Sequence, residues 1–261
     1  MFGFAYKNID FAHKLDVHSL PLSDFTKHMH NHYELLYFVR GNLDYAIESE
    51  TKRLTPGEII LIPPGVLHFG KVDPQAAYER YVLKFTASVL PDYIKSRIET
   101  QPVFLGNVKG AAPMFAELDG LYESYNDDER YILMTAKLMH ILIHLCKADS
   151  EEYERQISRN DIIGEVITYI NEHIKEPLTM ADICNDLHFS KSYLSSEFSK
   201  EMKTPMMTYI KYKKIFAAHK QISEGKGQLS AIASEYGFTE YSTFYRNYKK
   251  IIGHPPYEFK K

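Results

Sequence analysis

One pattern occurs twice between Leu178 and Pro256 and limits what this chain can fold into. The first copy runs Ala181-Asp-Ile183-Cys-Asn-Asp-Leu187-His-Phe189-Ser-Lys-Ser-Tyr-Leu194-Ser-Ser-Glu-Phe198. The second runs Ser230-Ala-Ile232-Ala-Ser-Glu-Tyr236-Gly-Phe238-Thr-Glu-Tyr-Ser-Thr-Phe244-Tyr-Arg-Asn-Tyr248, with one inserted residue near Glu240. In each, apolar residues recur at helical spacing and a turn residue follows, His188 or Gly237. A new helix then starts at Ser190 or Thr239, side chains suited to an N-cap. This is the pattern of a helix-turn-helix, whose second helix enters the DNA major groove.

Between the copies lies Pro205 to Gly225, with proline suited to the first helical turn and glycine to the C-terminal end. Roughly 19 residues at about 1.5 Å each make a rod of about 28 Å. B-DNA presents the same groove face every ~34 Å. Such a spacer is expected to hold two reading helices in successive grooves on one side of a duplex.

The net charge of −3 suits a DNA binder only when it is divided along the chain. Residues 160 to 261 hold 14 Lys/Arg against 12 Asp/Glu, and the remainder 17 against 22. Residues 191 to 214 carry six lysines and two glutamates, and 246 to 261 five basic residues and one glutamate. Either cluster alone reads as a solvated helix face; their coincidence with the two motifs points to phosphates.

The pattern Ile232-Ala233, Gly237-Phe238, Phe244, Arg246, Tyr248-Lys249-Lys250 and Gly253-His-Pro-Pro256 resembles the AraC/XylS transcriptional regulators over about the last hundred residues. Tyr248, Lys203 and Lys260 depart from the usual Phe, Gly and Arg. Helical spacing turns Leu194 and Phe198 inward in the first copy, and Phe244 and Tyr248 in the second. The resemblance implies that Ser192, Ser195 and Ser196, and Tyr241, Ser242, Tyr245 and Arg246, match base-contacting positions. Arg246 suits the O6 and N7 of guanine, and a phosphate contact or an ion pair to Glu240 is its alternative. Lys191 and Lys200 are expected on phosphate.

Residues 1 to about 110 read as β structure. Strand-length runs at 34–39, 43–48, 58–62 and 78–85 are separated by Gly41-Asn42, Thr55-Pro-Gly57 and Pro63-Pro-Gly65. A small jelly-roll barrel follows. His28, His30 and Glu34 with Gly41, then Gly57, Pro63 and His68, resemble the two cupin motifs, although Leu22 and Val72 replace the first Gly and the last Asn. In metal-binding cupins such residues converge on one ion, and three imidazoles with a carboxylate suit a divalent transition metal. The resemblance to the regulators implies no required cofactor, so two readings stand open for His28, His30, Glu34 and His68: a metal set, or polar lining of a ligand site with Tyr37. His32 alternates out of phase with His28 and His30.

Two helical stretches follow between Ala111 and Lys147, the second with Leu138, Ile141, Leu142 and Leu145 on one face and Ile132, Met139 and Ile143 widening it. Packing wholly on the barrel would account for them; the family resemblance implies a dimer contact. The expected architecture is therefore α+β in two domains. A cupin-like sensing and dimerisation domain with a helical pair spans 1–148, a polar linker 149–160, and an all-α double helix-turn-helix domain joined by a linker helix 161–261.

No stretch of ~18 apolar residues occurs, and the start lacks a basic then apolar leader, so a soluble cytoplasmic protein is expected. Cys146 and Cys184 read as reduced, packed thiols. The leading reading is a non-enzymatic regulator: a homodimer on promoter DNA, with a small-molecule effector, a sugar among the options, and RNA polymerase as partner. Its rivals are a metal-dependent cupin oxygenase or isomerase fused to a DNA-binding domain, and a constitutive regulator with an empty barrel. No paired acid and base completes an enzyme site.

Overall fold

A computed structural model describes residues 3–16, 28–73, 76–98, 104–108, 110–121, 125–147 and 162–259. The chain divides into two compact units, with the boundary between Ile157 and Ser158 and the short stretch Met29–Asn31 grouped with the second. The expected linker, 149–160, lies outside the described residues.

The first unit is built from β1 (Gly3–Tyr6), β2 (Ile9–Asp16), β3 (Tyr33–Arg40), β4 (Leu43–Ile47), β5 (Glu50–Leu54), β6 (Glu58–Ile62), β7 (His68–Val72), β8 (Tyr78–Phe85) and β9 (Phe104–Asn107). Helices α1 (Asp92–Ile98), α2 (Ala111–Asp119) and α3 (Asp127–Lys147) belong to the same unit. The strands form an antiparallel six-stranded sheet, β1-β2-β8-β3-β6-β9, and a three-stranded sheet, β5-β4-β7.

Strand alternation sorts the core into two layers. One face of the large sheet, with Leu36, Phe38, Ile60, Ile62 and Tyr78, packs on Leu43, Tyr45, Ile47 and Leu54 of the small sheet. The other, with Phe11, Leu35, Tyr37, Leu61, Tyr81 and Leu83, is covered by the helices. This double burial explains why β3 reads as a continuous apolar run rather than as an alternation. Gly41, at φ 129°, closes the β3–β4 turn where a Cβ would lie 2.7 Å from the carbonyl oxygen of Ala77.

Helix α3 differs from the expectation. Met134, Leu138, Ile141, Leu142 and Leu145 are buried in the helix-covered layer. Ile132 and Ile143 do not widen that face: three helical turns apart, they point the other way and are 65% and 38% exposed.

The second unit holds α4 (Ile162–Glu172), α5 (Met180–Asp186), α6 (Lys191–Met202), α7 (Met206–Ser223), α8 (Leu229–Glu235) and α9 (Tyr241–Ile252). Pro205 caps the start of α7, and Gly225, at φ 71°, follows its end. At 18 residues α7 spans about 27 Å. No helix among the described residues is long and apolar enough to cross a membrane. Cys146 and Cys184 are free, and Cys184 is buried.

Candidate nucleic-acid interface and barrel site

The two helix-turn-helix copies are α5 with α6 and α8 with α9. Thr179 begins the first: its hydroxyl accepts from the backbone N–H of Asp182, whose carboxylate accepts from the backbone N–H of Thr179 at 2.8 Å, a closed capping box. Ser190 caps α6, accepting from the N–H of Tyr193 at 3.3 Å. The expectation for the second copy needs correction: Glu240, not Thr239, is the N-cap of α9, and no side chain completes it. The residue inserted in this copy lengthens the turn by one and moves the cap with it.

Each reading helix is anchored by one face. Leu194 and Phe198 of α6 are fully buried, Phe198 meeting Tyr209 of α7 edge-on with centroids 5.4 Å apart. Phe244 and Tyr248 of α9 are likewise buried. Tyr248 donates its hydroxyl to Nδ1 of His219 on α7 at 2.6 Å. Burial raises the tyrosine pKa and lowers that of His219 to about 4, so the imidazole is the neutral acceptor.

The opposite faces carry the expected DNA residues. Lys191, Ser192 and Ser196 are exposed and Ser195 half-buried on α6; Tyr241, Ser242 and Arg246 are exposed and Tyr245 half-buried on α9. Among the described residues, Arg246 contacts the Thr243 hydroxyl at 3.5 Å, and Lys200 forms a 3.5 Å ion pair with Glu197. Both are weak tethers, which leaves these cations mobile enough to meet phosphate or base edges.

In the first unit, His28 forms an isolated antiparallel bridge to His68 of β7 through two backbone hydrogen bonds of 3.1 Å, and their rings lie 4.3 Å apart. Ligand atoms of His28, His30, Glu34 and His68 all lie within 4.8 Å of one another. His68 is fully buried and its Nδ1 donates to the carbonyl of Val66 at 2.9 Å, which makes Nε2 the lone-pair nitrogen of the neutral ring. By donor chemistry the group fits a first-row divalent ion, and equally the hydroxyls of a polar ligand. Glu34 also lies 3.8 Å from Lys84.

Tyr37 does not share this site. It lies three positions beyond Glu34 along β3, an odd offset, so it faces the helices and stacks on Phe115 at 4.7 Å. Tyr45 takes the place instead, its ring parallel to His68 at 6.2 Å and its hydroxyl pKa raised chiefly by burial and further by Glu34.

Tyr78 and Arg80, which no motif in the sequence marks, share this inner face. The buried guanidinium of Arg80 pairs with Asp16 and lies 4.1 Å over the ring of Tyr78, its charge felt by Tyr45. The available signal was its phase: Arg80 lies opposite Phe38 in the strand register, on the inner face.

Residues 18–142 match the model of an AraC-like ligand binding domain, and residues 183–261 that of a helix-turn-helix domain. Helix-turn-helix-type transcriptional regulator YobQ of Bacillus subtilis, itself uncharacterised, is 22% identical over 238 residues, 89% of this chain and 87% of that protein. The raffinose operon transcriptional regulatory protein RafR of Pediococcus pentosaceus is 21% identical over 237 residues, 88% of this chain and 84% of the relative. The arabinose operon regulatory protein of Salmonella typhimurium is 24% identical over 212 residues, 78% and 75% of the two chains.

Proposed function

The chain belongs to the AraC/XylS family of transcriptional regulators, DNA-binding proteins with an N-terminal ligand-binding domain, and from that premise we propose how its residues divide the work. A small polyhydroxylated effector, a sugar, binds the barrel at Glu34, His68, Tyr45 and Arg80, with His28 and His30 at the rim. Carboxylate, imidazole, phenol and guanidinium together supply the donors and acceptors that a polyol needs on several faces. RafR and the arabinose regulator are named for sugar operons, which supports this choice.

Effector occupancy changes promoter binding, and for that the effector must bind the DNA-competent state and its alternative with different affinities. Arg246 reads guanine, Tyr241, Ser242 and Tyr245 read neighbouring base edges, and the second copy carries more discrimination than the serines of the first. Lys191 and Lys200 hold phosphate. The protein acts in the cytoplasm as a homodimer through the outward face of α3, with RNA polymerase as its downstream partner and no catalytic step of its own.

The observation that carries this reading is the paired reading helices, each buried along one edge and polar along the other. The test is selection of duplexes from a random pool by the full chain, repeated with a panel of sugars. Enrichment of a bipartite sequence whose affinity changes with one sugar supports it; no enrichment over competitor under any condition overturns it.

A second reading, favoured by the 4.8 Å convergence of His28, His30, Glu34 and His68, is a divalent ion in the barrel. Metal analysis of protein purified without chelator decides it: one equivalent of metal, lost on His68→Ala, supports the ion, and substoichiometric metal leaves the site to the effector.

A further inference from the structure

The two reading heads meet at a point away from either recognition helix. Lys214 lies in the middle of α7 and is buried, yet its Nζ donates to the backbone carbonyl of Glu176, in the loop that leads into the first head, at 2.5 Å. A Cβ on Gly237, in the turn of the second head, would lie 2.9 Å from that Nζ, 3.4 Å from Pro177 Cα and 3.5 Å from the Glu176 oxygen. Loop and turn are therefore packed backbone against backbone, with the ammonium wedged beside them. Around this wedge, Lys175 pairs with Glu235 at 2.5 Å, and Gln221 of α7 donates to the other Glu235 oxygen at 2.8 Å.

Comparison of the two copies shows which atoms matter. His188 and Gly237 hold the same turn position, both left-handed at φ 57° and 77°. The phenylalanine that follows donates five residues back in each, Phe189 to Cys184 and Phe238 to Ala233, both at 3.0 Å. In the first copy the position carries an exposed imidazole. The turn itself thus tolerates a side chain, although glycine suits φ > 0 best. In the second copy, the ammonium of Lys214 stands where that side chain would begin.

We propose that Lys214, together with the Lys175–Glu235 pair, latches the two heads into one rigid reader and so fixes the spacing at which the second DNA segment must follow the first. The inference rests on the reading that both heads engage DNA. Lys214 is a positioning residue: it acts through the loop and the turn rather than on the duplex. Without the latch the heads are joined by α7 and its apolar contacts, and each can swing about its own end of that helix.

The test uses the full chain and duplexes that the wild type selects from a random pool, then the same duplexes with one base pair added or removed between the two contacted segments. One added pair rotates the second segment by about 34° and shifts it by roughly 3.4 Å. The wild type is expected to lose about 100-fold in affinity on either shifted duplex, the scale of losing one head's base contacts. Lys214→Met keeps the apolar stem and removes the ammonium, and its loss on the shifted duplexes is expected to shrink below about tenfold. A folded Lys214→Met that keeps the full 100-fold discrimination overturns the latch.

Should Lys214→Met fail to fold, Glu235→Ala, at the surface, decides: a spacing penalty reduced about threefold supports the proposal, and an unchanged one overturns it. A wild type that selects a duplex but tolerates the shifted spacing overturns the latch alone. A wild type that selects no duplex overturns the DNA reading beneath it.

Discussion

Acidification should loosen the second reading head through one residue, His219. Its imidazole is half-buried between α7 and α9, accepts from Tyr248 at 2.6 Å, and has its pKa lowered by desolvation from 6.5 to about 4. A histidine whose folded pKa is depressed favours folding fully above its unfolded pKa, near 6.5, and the benefit is lost as pH falls toward 4. The full shift corresponds to about 3 kcal/mol, and about 2 kcal/mol of it is gone by pH 5. Amide exchange of α7 and α9 reads this directly, because each segment reports its own opening. Between pH 7 and 5, after correction for intrinsic exchange, opening of these helices should become about 20-fold more frequent. His219→Gln can accept from Tyr248 through its amide oxygen without titrating, so its opening should be flat over the same range. Equal pH dependence in wild type and variant would refute the assignment to His219, and no pH dependence in either would refute the half-buried, neutral state itself.

Three further outcomes follow from named contacts. Arg246→Ala should weaken binding to a selected duplex by about 1 to 3 kcal/mol, roughly 5- to 150-fold, leaving random DNA and melting temperature unchanged; equal loss on both DNAs, read by anisotropy, would make it a phosphate contact. Thr179→Ala opens the capping box with Asp182 and should destabilise the first head by about 1 kcal/mol, seen as faster amide exchange in α5 alone. Ile132→Glu with Ile143→Glu alters only exposed positions of α3, so sedimentation should show a folded monomer where the wild type is a dimer. A wild-type monomer, or a mutant dimer, removes α3 from the interface.

Elements with one buried and one wet face were legible in the sequence, and those governed by partners were not. The inward residues of α6 and α9 follow from helical period alone, and Leu194, Phe198, Phe244 and Tyr248 are fully buried. Strands β3, β4, β6 and β8 announce themselves by β-branched and aromatic runs. In β5, Glu50-Thr-Lys-Arg-Leu54 is a polar edge strand with little apolar signal, and β7 is interrupted by Gly70. In β2, Ile9, Phe11, His13 and Leu15 share a face, but His13 breaks the pattern. Its imidazole is placed there by carboxylates distant in sequence, Asp119 at 2.7 Å and Glu79 at 3.0 Å, with Tyr81 stacked at 4.0 Å.

The barrel site was half legible for the same reason. The spacing of His28, His30, Glu34 and His68 carries its own message, whereas Tyr45, Tyr78 and Arg80 join it only through strand register, and Tyr37 leaves it on parity. On α3, the sequence marks a broad apolar helix. Only packing separates the residues that bind the sheet from Ile132 and Ile143.

The proposed function requires two recognition helices docked in successive major grooves. A hydroxyl-radical footprint of the full chain on a selected duplex tests it most directly. Two protected patches on one face of the DNA, centred about 10 base pairs apart, are the expected result. A single patch, or protection no stronger than on competitor DNA, would contradict it.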